Sequence, residues 1–149
     1  VVVELAGAYR RYHAPLARTV VLGTPSPRLG KLADAVADGL DAVLTEIQPG
    51  VPVSELARTW NRTLGKYGLE KPSRIGYSIG IGYPPDWGER TISLRSEDET
   101  ILTENMTFHL IGGMWMEGYG YELSESICVS SDGVETLTSF PRELLQKGS

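Results

Sequence analysis

Gly76-Tyr77-Ser78-Ile79-Gly80-Ile81-Gly82-Tyr83-Pro84-Pro85-Asp86-Trp87-Gly88-Glu89-Arg90-Thr91 is the stretch whose reading decides the fold. Gly76, Gly80 and Gly82 alternate with Tyr77, Ile79, Ile81 and Tyr83, and a period of two predicts a strand. Glycine inside a strand marks a place where another backbone or a ligand comes close. Pro84-Pro85 is expected to end the strand, because neither residue can donate to a sheet ladder. Asp86-Trp87-Gly88 is expected to form a turn that carries an aromatic. Two tyrosines on a strand thinned by glycine read either as a pocket wall or as a tightly packed central strand.

Upstream, Val1 to Ala6 is a strand candidate turned by Gly7-Ala8, and Leu16 to Leu22 is its return, with Pro15 at an irregular spot. Glu4 sits among apolar residues, so it faces either water at an edge or a site. His13, beside Pro15, reads as a surface imidazole. Ser26 and Pro27 form a helix start, followed by Leu29, Leu32, Val36, Leu40, Val43 and Ile47 at intervals of three and four. That is one apolar helical stripe, with Asp34, Asp38, Asp41 and Glu46 as its solvated face. Ser54 is expected to cap a second helix with the stripe Leu56, Trp60, Leu64 and Tyr67, ended by Gly68. Both helices read as cover for a core.

Downstream, Asn105 to Ile111 is strand-like and is broken by Gly112-Gly113; Met114-Trp115-Met116 continues it. Tyr121 to Val129 reads as one further strand, with Ser130 to Gly133 as a hairpin turn and Val134 to Leu137 returning. Glu122 and Glu125 lie three apart, so a regular strand sends them to opposite faces. Glu125, flanked by two serines, is the one expected to face the site. Two strands, two helices and then several antiparallel strands predict an α+β fold, with helices covering one face of a curved sheet.

The 149 residues suit one domain, and 41% apolar with 22% charged residues is ordinary for a globular protein. A net charge of −5 argues against a nucleic-acid partner. No apolar run approaches the roughly 20 residues of a membrane span. The single cysteine, Cys128, rules out an internal disulfide, fits a reducing cytoplasm, and reads as a buried, inert thiol. The chain opens in mid-strand without an initiator methionine, and so reads as part of something longer.

Several landmarks lie together: Tyr9 and Tyr12 before Arg18-Thr19, two helices, Gly76-Tyr77-Ser78-Ile79-Gly80, Met106-Thr107-Phe108, and Glu125 ahead of a terminal hairpin. In these the chain, from Glu4 to Phe140, resembles the C-terminal part of the creatinase and aminopeptidase P family, whose fold is called pita-bread. Within the family, Arg11-Tyr12-His13-Ala14-Pro15-Leu16 and the string from Gly76 to Thr91 are most similar to the ectoine hydrolase branch. The resemblance implies that residues 1–149 are the C-terminal portion of a catalytic domain whose first part is missing. It implies a polypeptide inactive by itself, exposed apolar surface, and association into a homo-oligomer.

Metallopeptidases of the family hold two metal ions with two aspartates, a histidine and two glutamates. Matched by motif, the first aspartate falls on Glu4, the second on Pro15, the histidine on Tyr77 and the first glutamate on His109. Glu125 is matched to the last glutamate. Proline offers no donor atom and a neutral tyrosine is a poor ligand, so the resemblance implies no metal cluster and no cofactor. A single ion on Glu4, His109 and Glu125 stays open. Creatinase, a relative, works without metal.

The implied activity is therefore metal-independent hydrolysis of a non-peptide C–N bond in a small zwitterionic or amidine substrate. Glu4, Glu125, His109, His13 and Tyr77 are the candidates for catalysis; Tyr83, Trp87, Arg74 and Arg90 are those for binding substrate. The alternatives are a metal-dependent Xaa-Pro peptidase and a noncatalytic or incomplete homologue.

Overall fold

The computed structural model describes residues 1–148. Its elements are β1 (Val2–Tyr9), β2 (Tyr12–Leu22), α1 (Pro27–Glu46), α2 (Val53–Gly65), β3 (Gly76–Tyr83), β4 (Asp86–Ser93), β5 (Thr107–Ile111), β6 (Met114–Met116), β7 (Tyr119–Tyr121), β8 (Ser124–Ser130), β9 (Gly133–Thr136) and β10 (Leu145–Lys147). A curled sheet runs in the order β1-β2-β3-β5-β8-β9, with β4 beside β3 and β10 parallel to β2; β6 and β7 form a separate hairpin. This is the expected α+β arrangement.

Helix α1 begins as the sequence predicts: Ser26 accepts the N–H of Leu29, and Pro27 opens the first turn. Its stripe of Leu32, Val36, Leu40 and Val43 is buried, while Asp34, Asp38, Asp41 and Glu46 face water. In α2, Ser54 is not the cap. The helix starts one residue earlier, where the Val53 N–H is already taken by the Thr100 carbonyl, and Ser54 is fully buried. Leu56, Trp60 and Leu64 bury completely against α1 and the sheet, each contributing about 1.5–3 kcal/mol. Tyr67 lies past the helix end and is exposed, with its hydroxyl on Asp38.

The first hairpin turns later than expected. Strand β1 continues through Gly7-Ala8 to Tyr9, which pairs with Tyr12. Arg10 and Arg11 make the turn at φ 49° and 72°, the left-handed conformation that two-residue hairpins favour. Pro84-Pro85 is likewise a two-residue turn, since Tyr83 pairs with Asp86; Asp86-Trp87-Gly88 opens β4 instead of forming a loop. The strand expected from Tyr121 to Val129 is broken. Tyr121 pairs with Met114 in the small hairpin, and β8 begins only at Ser124. Cys128 is only partly buried, and its thiol is pushed up first by desolvation and then by Glu135 and Glu104.

The glycines of β3 serve close packing. A Cβ on Gly76 would fall 2.6 Å from the His109 carbonyl oxygen, and one on Gly80 would collide with the Glu89 carboxylate. Tyr77 occupies the opposite face of the strand.

Strand β2 pairs with β3 only at Tyr12 and Ile81, near the hairpin tips, and beyond that point the two part. The edge of β2 turned away from β1 then meets β8 through side chains. Ala17 N–H donates to Ser124 Oγ (2.6 Å), Ser126 Oγ donates to the Pro15 carbonyl (2.7 Å), and Thr19 Oγ1 both donates to Glu122 O and accepts from Glu122 N. Pro15 has the same parity as Ala17, so its missing N–H would have pointed into this seam, where no backbone acceptor waits. That is why a proline is tolerated inside an eleven-residue strand.

Candidate active site

A cleft of about 780 Å³ lies between β1 and the β3–β4 hairpin, lined by Glu4, Arg74, Tyr77, Trp87, Arg90 and Ile111 together with Pro85, Asp86 and Gly88. Glu4 comes from β1, Tyr77 from β3, and Trp87 and Arg90 from β4. Glu4 is exposed to the cleft, and partial desolvation raises its carboxyl above the ordinary value.

A chain of hydrogen bonds backs the cleft. Trp87 Nε1 donates to Tyr77 Oη (2.9 Å), Tyr77 Oη meets His109 Nδ1 (2.9 Å), and His109 Nε2 meets Ser124 Oγ (2.7 Å). The two rings stand edge to face, 5.3 Å apart. His109 is fully buried. Desolvation, aided by Arg74, lowers its pKa to about 3, so the imidazole is neutral. Burial raises the Tyr77 hydroxyl, opposed by the Trp87 hydrogen bond.

Arg74 stacks on Tyr77, 4.5 Å from the ring centre. No carboxylate lies within ion-pair distance of it among the described residues. Arg90 is instead paired with Asp86, whose carboxyl is held down by the Gly88 N–H and by Arg90.

The remaining candidates stand apart. His13 is buried, not on the surface, with Nδ1 at 2.9 Å from the Arg11 carbonyl. It shares the Glu4 face of the first hairpin but lies four residues from Ala17, the partner of Glu4, or about 13 Å along the strand. Tyr83 is exposed beyond the cleft, where Arg11 Nη1 donates to its hydroxyl (2.5 Å). Glu125 is on the other side of the sheet. It faces Leu110, is 2% exposed, and binds Arg18 at 2.5 Å together with Thr138. Alternation explains the difference: His109 pairs with Ser126, which puts Ser124 and Ser126 on the imidazole face and Glu125 on the opposite one.

Ser124 and Lys71 carry no expectation from the sequence, which sets Glu122 aside in favour of Glu125. Glu122 is 7% exposed, and its carboxyl is raised by burial and then by Glu4, against the pull of Lys71. Lys71 is lowered by desolvation and donates to the Gly113 carbonyl (2.5 Å). Glu122, Ser124 and Ser126 are two apart, the repeat of one face, but spacing alone does not say which face turns toward the cleft.

The donor set does not fit a dinuclear metal centre. Pro15 has no donor atom, both nitrogens of His109 are engaged, and Glu125 is across the sheet from Glu4. Among the described residues, no three histidine, cysteine, aspartate or glutamate side chains converge.

The profile of Metallopeptidase family M24 matches residues 1–131. An ectoine hydrolase of Halomonas elongata is 47% identical over 97% of this chain and 36% of its own length. This chain belongs to the M24 family. The Xaa-Pro dipeptidase of Pyrococcus horikoshii is 24% identical over 97% of the chain and 41% of its own length. A dipeptidase from Mycobacterium ulcerans superposes with a TM-score of 0.91, at 23% identity, over 99% of this chain and 40% of that one. The last match shows the pita-bread fold alone. The chain spans about a third of the length of the ectoine hydrolase it matches. No helix is long and apolar enough to cross a membrane.

Proposed function

We propose that the whole protein opens a cyclic amidine such as ectoine by hydrolysis, without a metal ion. The observation that carries this reading is Glu4 lining a cleft whose other family ligand positions are filled by Pro15, Tyr77 and a His109 with no free nitrogen. Similarity to an ectoine hydrolase at 47% identity supports the substrate class.

A planar amidinium binds well to carboxylates, and Glu4 is the one at the cleft wall, with Glu122 adding negative potential behind it. Arg74, stacked and unpaired, suits the substrate carboxylate. Glu4 then acts as base toward water, or as nucleophile itself, at the amidine carbon. One water is added and one ring C–N bond breaks, leaving an open-chain amide and a free amine. Tyr77 donates to the departing nitrogen. His109, neutral and held at both nitrogens, orients Tyr77 and is not itself the shuttle.

The test is to incubate the whole protein with ectoine and, separately, with a dipeptide ending in proline, following both by NMR. Ring opening without peptide cleavage is expected. Cleavage of the dipeptide with ectoine left intact would refute the reading.

A further inference from the structure

We infer that Ser124 is a positioning residue: its hydroxyl proton goes to His109 Nε2, fixes the Nδ1-protonated tautomer, and so turns the Tyr77 hydroxyl proton into the cleft. The kinetic consequence rests on the amidine-hydrolase reading above; the proton arrangement stands on geometry alone.

Each group in the chain has few choices. The Ala17 N–H can only donate, so Ser124 Oγ accepts it at 2.6 Å. Ser124 is fully buried, and the one other polar atom bonded to its oxygen, among the described residues, is His109 Nε2 at 2.7 Å. If Nε2 carried the proton, Ser124 would accept twice and its own proton would be sealed in with no acceptor, a costly state for a buried hydroxyl. With Nε2 as acceptor every proton is satisfied. His109 is neutral, so its single N–H then lies on Nδ1 and donates to Tyr77 Oη. Tyr77 Oη also accepts from Trp87 Nε1, which cannot act in reverse. With two donors on its oxygen, the Tyr77 proton is left for the cleft that Tyr77 lines.

The arrangement runs in one direction from a backbone amide in β2 to the hydroxyl in the cleft. It gives Tyr77 two donors that stabilise the phenolate left after proton transfer. The opposite tautomer would spend the Tyr77 proton on His109 and leave the cleft facing an acceptor. Ser124 touches no substrate, so its effect appears in turnover and not in binding.

The test uses the whole protein with nitrogen-15 in its histidines. In the wild type, the His109 signals are expected to show a protonated Nδ1 and a bare Nε2. Ser124→Thr keeps the hydroxyl and should keep both the tautomer and kcat. Ser124→Ala should lose the preference for Nδ1–H and lower kcat on ectoine by about 10–100-fold with KM little changed. A proton on Nε2 in the wild type would overturn the inference, and this reading requires no variant to fold. It would also be overturned by Ser124→Ala keeping both tautomer and kcat. If the wild type leaves ectoine intact, the functional reading fails while the nitrogen signals still decide the proton arrangement.

Discussion

Ser124 and Glu125 are neighbours in β8, yet they belong to regions built on different principles. On the Ser124 face, neutral groups are linked by hydrogen bonds behind an open cleft, and the charges, Glu4 and Arg74, stand at its wall. On the Glu125 face a buried ion pair with Arg18 is sealed by the Phe140 and Pro141 carbonyls, which accept from the same guanidinium. One side leaves its charged groups accessible to a ligand; the other satisfies them internally and ties the C-terminal segment to β2. Both oxygens of this carboxylate are engaged, Oε1 by Arg18 and Oε2 by Thr138, on the face turned away from the cleft. The proposed reaction uses the glutamate on β1, which lines the cleft and from the sequence alone could face either water or a site.

The comparison can be broken at several points. Glu4→Gln should lower turnover by roughly 10⁴-fold, about 5.5 kcal/mol of transition-state stabilisation, while thermal unfolding stays within about 0.5 kcal/mol of the wild type. Acid tests the neutral face. Because the pKa of His109 falls from 6.5 to about 3 on folding, the unfolded chain takes up the proton first as pH drops. Stability from this group is intact above pH 6.5 and is lost as pH falls toward 3, by up to about 4–5 kcal/mol. Denaturant titrations across that range should show the loss, and His109→Gln should flatten it.

Glu125→Ala leaves Arg18 charged and unpaired in the interior, and should destabilise by about 3–5 kcal/mol. In conditions where this variant is still folded, ectoine turnover should remain near the wild-type rate. A collapse of turnover in a stable Glu125→Ala protein would move the chemistry to the other face. Ser126→Ala removes the donor to the Pro15 carbonyl and should cost about 1–2 kcal/mol in chemical denaturation.

Much of this was legible in the chain. Helix α1, its Ser26 cap and its buried stripe follow from spacing, and the period of two around Tyr77 located both a strand and one wall of the cleft. The hairpin tips were harder to read. Arg10-Arg11 and Pro84-Pro85 make two-residue turns without the Asn-Gly signal that such turns usually carry. Alternation separates Glu122 from Glu125 but does not say which face turns toward the cleft; the register that pairs Ser126 with His109 and Glu125 with Leu110 decides it. Ser124 itself was invisible, since a serine gains meaning only when a remote strand brings Ala17 and His109 to it. His13 looked like a surface residue beside a proline. Only the pairing of β2 with β1 and the approach of Gly82 bury it.

Chemistry without a metal at Glu4 and Tyr77 is tested most directly by removing metal from the protein. Ectoine turnover by the whole protein should be measured before and after exhaustive chelation, with the metal content of the sample determined alongside. Unchanged turnover in metal-free protein is the predicted result; loss of turnover on chelation, restored by manganese, would contradict it.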